Sequence, residues 1–250
     1  MATRPRRRLA LEAVGSTNTV AFEAARSGDP GPLWVTADRQ TAGRGRRGRA
    51  WVSEAGNLYA SLLLIEPAPL EHLQNLPLVA ALGVRDGLAS LPARPRPDIR
   101  IKWPNDILIG GRKAVGILTE TERLPDGRRA VVIGCGVNVA YVPGETPYPV
   151  TGLAAEGLPA DLDLVFEALA GGVETALDLW DRGQNFAAVR RDWLAHASGL
   201  GEACTINLPD RSLKGRFVAL DEAGRLLLDE EGGARRAISA GELFLPDRLR

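Results

Sequence analysis

The chain has 250 residues, of which 45% are hydrophobic and 25% charged, and its formal net charge is zero. This composition is typical of a globular protein with a buried core, and the zero net charge excludes a uniformly basic nucleic-acid-binding protein. No apolar run approaches the roughly 18 residues of a membrane-spanning helix, and no signal-peptide core follows the basic amino terminus. Two cysteines and two histidines are too few for a disulfide framework or a cysteine-rich zinc site. We therefore expect a cytoplasmic protein without a membrane anchor.

Periodicity predicts alternating strands and helices over the first 200 residues. The predicted strands, in chain order, are 8–14, 33–37, 58–65, 99–103, 106–109, 114–120 and 130–139, with Gly110-Gly111 as a hairpin turn. The predicted helices are 19–26, capped by Ser16 or Thr17, then 70–91, in which Pro77 can start a second helix, 162–180 and 186–196. Residues 41–50 and 142–159 are too rich in Gly, Arg or Pro to form regular elements and are expected to be loops.

The pattern changes at Gly201, after which short alternating segments are separated by turn residues. These segments predict strands at 204–208, 213–220, 225–228 and 234–239, which is the pattern of a small all-β barrel. A module of roughly 45 residues has a marginal core of its own, so we expect it to lean on the larger domain. The predicted domains are therefore 1–200 and 201–250.

The segment 43–51, here called the Arg/Gly loop, reads Gly-Arg-Gly-Arg-Arg-Gly-Arg-Ala-Trp. Its glycines expose backbone N–H groups and its four guanidinium groups bind anions well, which favours a phosphate or carboxylate ligand. Four like charges repel one another, so we expect the loop to be mobile until an anion orders it. The glycines also spell a dinucleotide-binding fingerprint, but no helical pattern follows the third glycine as that fingerprint requires. A solvated basic loop and a nucleic-acid-binding arm remain alternatives.

Only three of the 31 basic residues are lysines, and Lys102 and Lys113 lie eleven positions apart. A lysine is a compact point charge that approaches a single oxygen, whereas an arginine is a wider planar fork. Lys102 begins Lys-Trp-Pro-Asn-Asp, which sets a cation, an amide and a carboxylate on one corner between strands. Lys113 begins a strand in which Gly116 indicates a close backbone approach. The alternatives are an Asx-turn over a buried Trp103 and a solvated lysine at a strand edge.

A further segment, Gly134-Cys135-Gly136-Val137-Asn138, ends an apolar strand. Two glycines at alternate positions leave one face of the sheet bare, which allows another group to pack against the backbone. Asn138 at the strand end could bond a ribose or a carbonyl. Close packing of the glycines with Asn138 in a turn is the alternative.

Taken in this order, the segments resemble the biotin–protein ligase family over about residues 9 to 245. The resemblance rests on Gly-Ser-Thr-Asn at 15–18, Gln40 with the Arg/Gly loop, Lys-Trp-Pro-Asn-Asp, Lys113 with Gly-Ile-Leu, and Gly-x-Gly-x-Asn. It implies an α+β fold: a mixed sheet with flanking helices, like the catalytic core of class II aminoacyl-tRNA synthetases, plus a small SH3-like C-terminal barrel. It also implies ATP-dependent activation of biotin as biotinyl-5′-adenylate and its transfer to a lysine of the biotin carboxyl carrier protein of acetyl-CoA carboxylase.

The resemblance further implies residue roles. Biotin would be bound by Ser16, Thr17, Asn18, Gln40, Arg44, Gly45, Arg46 and Lys113. ATP would be bound by Arg46, Arg47, Arg49, Trp51, Lys102, Asn105, Asp106 and Asn138. Lys113 and Arg46 would be catalytic. Independently of the resemblance, the chemistry of the second step adds Asp106 as a proton acceptor for the attacking amine, and Mg²⁺ would be carried mainly by the ATP phosphates. Val115 departs from the second glycine of the family pattern, and its side chain is expected to narrow the pocket or reshape the adenine contact.

The chemistry agrees with these residue types. A carboxylate that attacks a phosphate brings two anions together, so cations at Arg44, Arg46, Lys102 and Lys113 would gather both. No general base is needed, because the carboxylate is already ionised at neutral pH. Because only 15 residues precede Ser16, we expect the enzyme-only form, without DNA binding, as a monomer or weak homodimer. The alternatives are a lipoate or octanoate ligase, whose Arg-Arg-x-x-Gly-Gly motif is absent, and a non-catalytic nucleic-acid-binding protein.

Overall fold

A computed structural model describes residues 6–144, 146 and 148–245. Its larger part is a seven-stranded sheet built from β1 (Arg8–Val14), β2 (Leu33–Gln40), β3 (Leu58–Ile65), β4 (Ile99–Lys102), β5 (Asp106–Ile109), β6 (Arg112–Arg123) and β7 (Arg129–Val137). The strand order is β1-β2-β3-β7-β6-β5-β4. The first two strands are parallel and every other neighbouring pair is antiparallel, so the sheet is mixed as expected.

Helices cover both faces of this sheet. They are α1 (Thr17–Arg26), α2 (Leu76–Ser90), α3 (Leu162–Trp180) and α4 (Phe186–Ala195), with single 3₁₀ turns at Arg46–Gly48, Leu70–Asn75, Ala154–Glu156 and Asp181–Gly183. Helix α1 covers one face through Ala21, Phe22 and Ala25. Helices α2, α3 and α4 cover the other face in a larger apolar core. The sheet is therefore held between two helical layers, and its strand ends are left to form a site.

The C-terminal part is a five-stranded antiparallel sheet with the order β11-β10-β9-β8-β12. Its strands are β8 (Ala203–Asn207), β9 (Ser212–Leu220), β10 (Leu226–Glu230), β11 (Arg235–Ile238) and β12 (Glu242–Phe244). Its core is continuous with that of the larger part, because Phe217 of β9 contacts Trp193 of α4 with ring centroids 6.5 Å apart. This contact agrees with the expectation that the small module leans on the large domain.

The predicted α+β class is confirmed, and several elements were bounded correctly from sequence, including β3, β5 and α3. Helix α1 begins at Thr17 rather than at 19, because Ser16 is extended and its carbonyl already accepts the N–H of Val20 at 3.1 Å. The predicted helix 70–91 is divided at Leu76, with Pro77 in the first turn of α2. Strand β12 was missed because three residues are too few to show alternation. No helix of the described chain is both long and apolar enough to cross a membrane.

Candidate active site

A cleft opens where the strand ends, the Arg/Gly loop and the C-terminal sheet meet. Its walls come from the first turn of α1, the end of β2, the corner between β4 and β5, the middle of β6 and β7, and β12. Of the residues assigned to a site from sequence, those lining the cleft are Ser16, Thr17, Asn18, Gln40, Arg44, Gly45, Arg46, Arg49, Trp51, Lys102, Asn105, Asp106 and Lys113. Segments far apart in the chain are therefore gathered around one space.

Five uncharged side chains lie together at one end of the cleft, and we call them the neutral floor: Ser16, Thr17, Asn18, Gln40 and, directly beneath them, Ser61 of β3. The backbone N–H of Thr17 donates to Gln40 Oε1 at 2.9 Å. The hydroxyl of Ser61, which is fully buried, lies 2.7 Å from Thr17 Oγ1 and 2.6 Å from Asn18 Oδ1. The floor therefore presents hydroxyl and amide groups that are already bonded to one another.

The other end is positively charged, and we call Arg46, Lys102, Asp106 and Lys113 the cationic end. Lys113 Nζ lies 2.8 Å from Asp106 Oδ1 in a largely buried ion pair. Burial alone lowers the pKa of Lys113, but attraction to Asp106 and contact with Tyr148 outweigh it, so the pKa is raised. Burial lowers the pKa of Lys102 and of Arg46. These cations are therefore held close together with one carboxylate among them.

Aromatic rings flank both lysines of the cationic end. Lys102 Nζ lies 5.2 Å from the ring centre of Phe244 and 5.9 Å from that of Tyr148. Lys113 Nζ lies 5.2 Å from Tyr148 and 5.5 Å from Trp51. At these distances the negative faces of the rings attract an ammonium group. The rings therefore help Asp106, the carboxylate at this end, to hold two like charges close together.

The Arg/Gly loop is folded against the protein, and each of its arginines has a polar partner, whereas the sequence suggested unpaired cations; ordering of the loop by an anion stays a prediction. Arg44 forms a bridge with Ala50 across the loop. The partners of its arginine side chains are Thr19 and Glu120 for Arg44, Asn105 and the Gly241 carbonyl for Arg46, the Asn207 carbonyl for Arg47, and Glu242 for Arg49. Carboxylates and carbonyls of other segments thus offset the repulsion among the four like charges.

Trp51 lies flat on the sheet over two glycines. A methyl group at Gly116 would come 2.8 Å from the indole ring, and one at Gly136 would overlap the indole nitrogen. Asn18 covers Gly134 in the same way. The expectation that another group packs on the bare backbone of β7 is therefore met by Trp51 and Asn18. The indole Nε1 of Trp51 is buried without a hydrogen-bond partner among the described residues.

Comparison with known proteins places this geometry in a family. The model of the biotin/lipoate A/B protein ligase family matches residues 10–138, and that of the biotin protein ligase C-terminal domain matches residues 199–245. The chain belongs to the biotin/lipoate A/B protein ligase family. It is similar to a biotin–[acetyl-CoA-carboxylase] ligase of Paracoccus denitrificans, with 38% identity over 94% of this chain and 98% of the relative.

Two further matches agree. A bifunctional ligase/repressor of Bacillus subtilis is 35% identical over 92% of this chain and 71% of the relative. The structure of a biotin protein ligase from Aquifex aeolicus in complex with biotin and ATP superposes with a TM-score of 0.77 at 30% identity, covering 95% of this chain and 97% of that one. The fold expected from the resemblance is therefore that of solved members of the family.

Two of the predicted ATP-binding residues do not line the cleft. Arg47 has a left-handed backbone (φ 58°), and its guanidinium points to the Asn207 carbonyl of the C-terminal sheet at 3.5 Å. Asn138 is buried, and its amide donates to the Thr151 carbonyl at 3.1 Å, which fastens the following loop to the end of β7. Both side chains were predicted to bind ATP in the cleft. In this structure they instead form hydrogen bonds that join separate segments of the chain.

Val115, which was expected to narrow the pocket or reshape the adenine contact, also lies outside the cleft. Its side chain is fully buried in the large apolar core and does not line the cleft. The pairing of β5 with β6 shifts by one residue between Ile107 and Leu108, and Val115 faces inward as its neighbour Gly116 faces the cleft. The departure from the family pattern therefore adds to the core and leaves the cleft unchanged.

Sequence reasoning missed cleft residues that belong to no motif. Tyr148 lies in a segment that shows only loop composition, and Glu242 and Phe244 lie on the short strand β12. Ser61 and Glu120, which contact the floor from behind, sit in strands where they look like ordinary exposed polar positions. The sequence offered a single signal for Glu242, which is an acidic residue directly after a turn glycine in the C-terminal module. In the structure this module contacts the Arg/Gly loop.

Proposed function

We propose that the neutral floor binds the ring of biotin and that the cationic end binds its carboxylate together with the α-phosphate of ATP. The chain is a biotin–protein ligase: it forms biotinyl-5′-adenylate and transfers biotin to a lysine of the biotin carboxyl carrier protein of acetyl-CoA carboxylase. The observation that carries the assignment of ends is that uncharged hydrogen-bonding groups and three partly buried cations face one cavity. A neutral ureido ring suits the first and two anions suit the second.

In the first half-reaction the carboxylate of biotin attacks the α-phosphorus and pyrophosphate leaves. Lys113 and Arg46 reduce the repulsion between the two anions, and their effect is strengthened because both side chains are partly buried. The Asp106 carboxylate holds the Lys113 ammonium 2.8 Å away, so the cation is positioned before the substrates arrive. Lys102, which has no ion-pair partner among the described residues, is available for a phosphate oxygen.

Asp106 is also our candidate for accepting the proton when the acceptor lysine attacks the adenylate. Its Oδ1 is occupied by Lys113, so its Oδ2 would take this part. Its hold on Lys113 is the role that the geometry supports more directly.

Magnesium would enter bound to ATP. Among the described residues no group of three or more His, Cys, Asp and Glu side chains could hold a metal ion. Asp106 and Glu242, the acidic side chains that line the cleft, are each paired with a cation. When bound, Mg²⁺ would neutralise charge on the phosphates. This donor set fits a metal held mainly by phosphate oxygens with little help from the protein.

The partnered arginines weigh against nucleic-acid binding, because their guanidinium groups already bond protein oxygens. The polar floor weighs against lipoate, whose dithiolane ring has no N–H or C=O to match it. A division into domains 1–200 and 201–250, a cytoplasmic location, a monomeric or weakly dimeric state and the absence of DNA binding remain predictions from the sequence.

The test is pyrophosphate release by the purified chain with MgATP and biotin, repeated with lipoate, with octanoate and with no acid. Of the three acids, we expect only biotin to support pyrophosphate release. We also expect a biotin carrier domain to be labelled, and its variant with arginine in place of the target lysine to stay unlabelled. Release of pyrophosphate with lipoate or octanoate, and not with biotin, would make the chain a lipoate or octanoate ligase. No release with any acid would leave the cleft as a binding site without this chemistry.

A further inference from the structure

Among the described residues, Tyr148 is the aromatic side chain that both lysines of the cationic end contact. Its ring centre lies 5.2 Å from Lys113 Nζ and 5.9 Å from Lys102 Nζ, and the residue lines the cleft. Each lysine also contacts a second ring, which is Trp51 for Lys113 and Phe244 for Lys102. Rings and ammonium groups therefore alternate in one series, and Tyr148 is its middle member.

Tyr148 lies outside the strands and helices, but the main chain beside it is fixed to β6. The Lys113 N–H donates to the Pro149 carbonyl at 2.9 Å, and the Lys113 carbonyl accepts the Thr151 N–H at 2.9 Å. The hydroxyl of Thr146 donates to the Tyr148 carbonyl at 2.6 Å. The main chain of Lys113 thus holds the segment whose ring contacts the Lys113 side chain.

The two lysines receive unequal support from carboxylates. Lys113 Nζ pairs with Asp106 at 2.8 Å, whereas Lys102 has no ion-pair partner in the described part of the chain. Burial is the main cause that lowers the pKa of Lys102; the charge of Lys113 lowers it further, and attraction to Asp106 offsets this only in part. The negative face of an aromatic ring attracts a cation, and more strongly where water is displaced. The ring of Tyr148 therefore favours the charged form of the lysine that lacks a carboxylate of its own.

We propose that Tyr148 is a positioning residue, which keeps Lys102 and Lys113 charged and side by side through the face of its ring. Without that face, two ammonium groups share one carboxylate, and their repulsion drives them apart or expels a proton from one of them. Both cations are placed to meet phosphate oxygens, so the loss acts on the nucleotide and not on the neutral floor. The inference rests on the proposed function of the cationic end and adds a residue that belongs to none of the sequence motifs.

The test separates the electrons of the ring from its shape. Phenylalanine at position 148 keeps the negative face without the hydroxyl, and leucine removes the face. A phenylalanine fluorinated at every free ring carbon, introduced by amber suppression, keeps the ring but loses its negative face, because fluorine withdraws electrons. The leucine and fluorinated variants should lower kcat/KM for ATP about tenfold, as for two contacts of this kind, with the KM for biotin within about twofold of wild type. The conservative variant Tyr148→Phe should retain most of kcat/KM for ATP.

The pH profile gives a readout that a merely structural role would not move. A ring face that favours the ammonium form keeps Lys102 charged to higher pH, so without it the KM for ATP should begin to rise at a lower pH. The two phenylalanines lack a hydroxyl, so the comparison between them is free of the titration of the phenol. The other charged groups that act on Lys102 are the same in both variants: Arg46, Asp106, Lys113 and Glu242.

The matched control is Tyr141, which is exposed and does not line the cleft. Its recorded hydrogen bonds with Asn57 involve only its main chain, so the side chain can be changed without breaking them. Leucine or the fluorinated ring at position 141 should leave kcat/KM for ATP and the pH profile unchanged.

Two results would overturn the inference. A fluorinated ring at position 148 that behaves like phenylalanine would show that the ring only fills space. A full loss in Tyr148→Phe would assign the role to the hydroxyl instead of the ring face. If wild-type protein released no pyrophosphate with biotin, the proposed function itself would fail, which is a different result from a selective change at position 148.

Discussion

The two ends of the cleft hold their ligands by different physical means. The neutral floor is a set of uncharged groups bonded to one another, so its selectivity depends on the hydrogen-bond donors and acceptors that it presents to a ligand. The cationic end gathers Arg46, Lys102 and Lys113 around one carboxylate, so its effect depends on net charge and on exclusion of water. A ligand with an uncharged ring and a charged tail can satisfy both ends only in one orientation.

This difference predicts different responses to substitution. At the floor a change that keeps size but alters donor and acceptor character should act on substrate binding and little on the chemical step. At the cationic end a change of charge should act on the chemical step, because the repulsion between carboxylate and phosphate is greatest in the transition state. The ratio of the effect on kcat to the effect on KM therefore separates the two ends.

The largest effect is expected at Lys113. Lys113→Ala should lower the rate of pyrophosphate release by about 10²–10³, as for loss of a transition-state cation worth roughly 3–4 kcal/mol. Because the variant leaves Asp106 buried without its partner, the free energy of unfolding should also fall. Both quantities are to be measured on the same preparation, by pyrophosphate release and by urea denaturation.

Two further variants sharpen this prediction. Lys113→Arg keeps the charge, but its wider fork does not fit between Asp106 and the flanking rings, so it too should be impaired. Near-normal turnover in that variant would contradict the view that a point charge is needed. Lys214→Ala is the control, because Lys214 lies on an exposed face of β9 in the C-terminal sheet and should leave the rate unchanged.

The next effect is expected on retention of the adenylate. Arg46 bonds Asn105 at 3.1 Å and the Gly241 carbonyl at 3.2 Å, so it ties the Arg/Gly loop to both sides of the cleft. Arg46→Gly should leave adenylate synthesis measurable but raise the escape rate about 10- to 150-fold, as for one charge-assisted bond of roughly 1.5–3 kcal/mol. The escaped adenylate reacts with any amine, so biotin should appear on albumin added in excess.

This prediction is wrong if the neutral floor alone retains the adenylate. In that case Arg46→Gly would make adenylate and label no more albumin than wild type does. The control is Arg211→Gly, which removes an exposed arginine from a turn of the C-terminal sheet, where its guanidinium pairs with Asp210 at 3.4 Å. It should label albumin at the wild-type level.

A smaller effect is expected from crowding Trp51. In Gly116→Ala the new methyl group would lie 2.8 Å from the indole, and because β6 is paired on both sides the ring has to move. Since that ring lies beside Lys113, the KM for ATP should rise about tenfold, consistent with an overpacking cost of roughly 1–3 kcal/mol, while the KM for biotin changes less. Gly232→Ala, at a position with nothing within 4 Å, is the control and should change neither constant.

The two ends also differ in how far the sequence predicted them. Lys102 and Lys113 stand out by type, because lysine is rare in this chain and each lies at a strand end. Thr17 and Asn18 follow from the resemblance, but Ser61 and Glu120 could not be found, because their role depends on the register that sets Ser61 opposite Gly134 and Glu120 opposite Val132. The contacts of Arg46, Arg47 and Arg49 with Gly241, Asn207 and Glu242 likewise need the docked C-terminal sheet.

The smallest expected effect concerns the loss of activity at alkaline pH, here called the alkaline limb of the pH profile. Burial lowers the pKa of Lys102, whereas the pKa of Lys113 is raised, so Lys102 is the first of the two to lose its charge as pH rises. The KM for ATP should therefore increase at a pH below the ordinary lysine value of 10.5. Lys102→Arg keeps a charge at all accessible pH values and should move the limb to higher pH, even if its fork lowers the rate at neutral pH.

Folding stability gives an independent check with the opposite sign. Between the lowered pKa of folded Lys102 and the ordinary value, the unfolded chain binds a proton that the folded chain does not, so stability rises with pH over that interval. Burial raises the pKa of Cys135 from 9.0 to about 12, and its contribution falls with pH in the same range. The difference in unfolding free energy between wild type and Lys102→Arg cancels the Cys135 contribution. That difference should move in favour of wild type as pH rises while wild-type affinity for ATP declines. If the stability of wild type relative to Lys102→Arg fell together with its affinity for ATP, the loss of activity at alkaline pH would be due to unfolding.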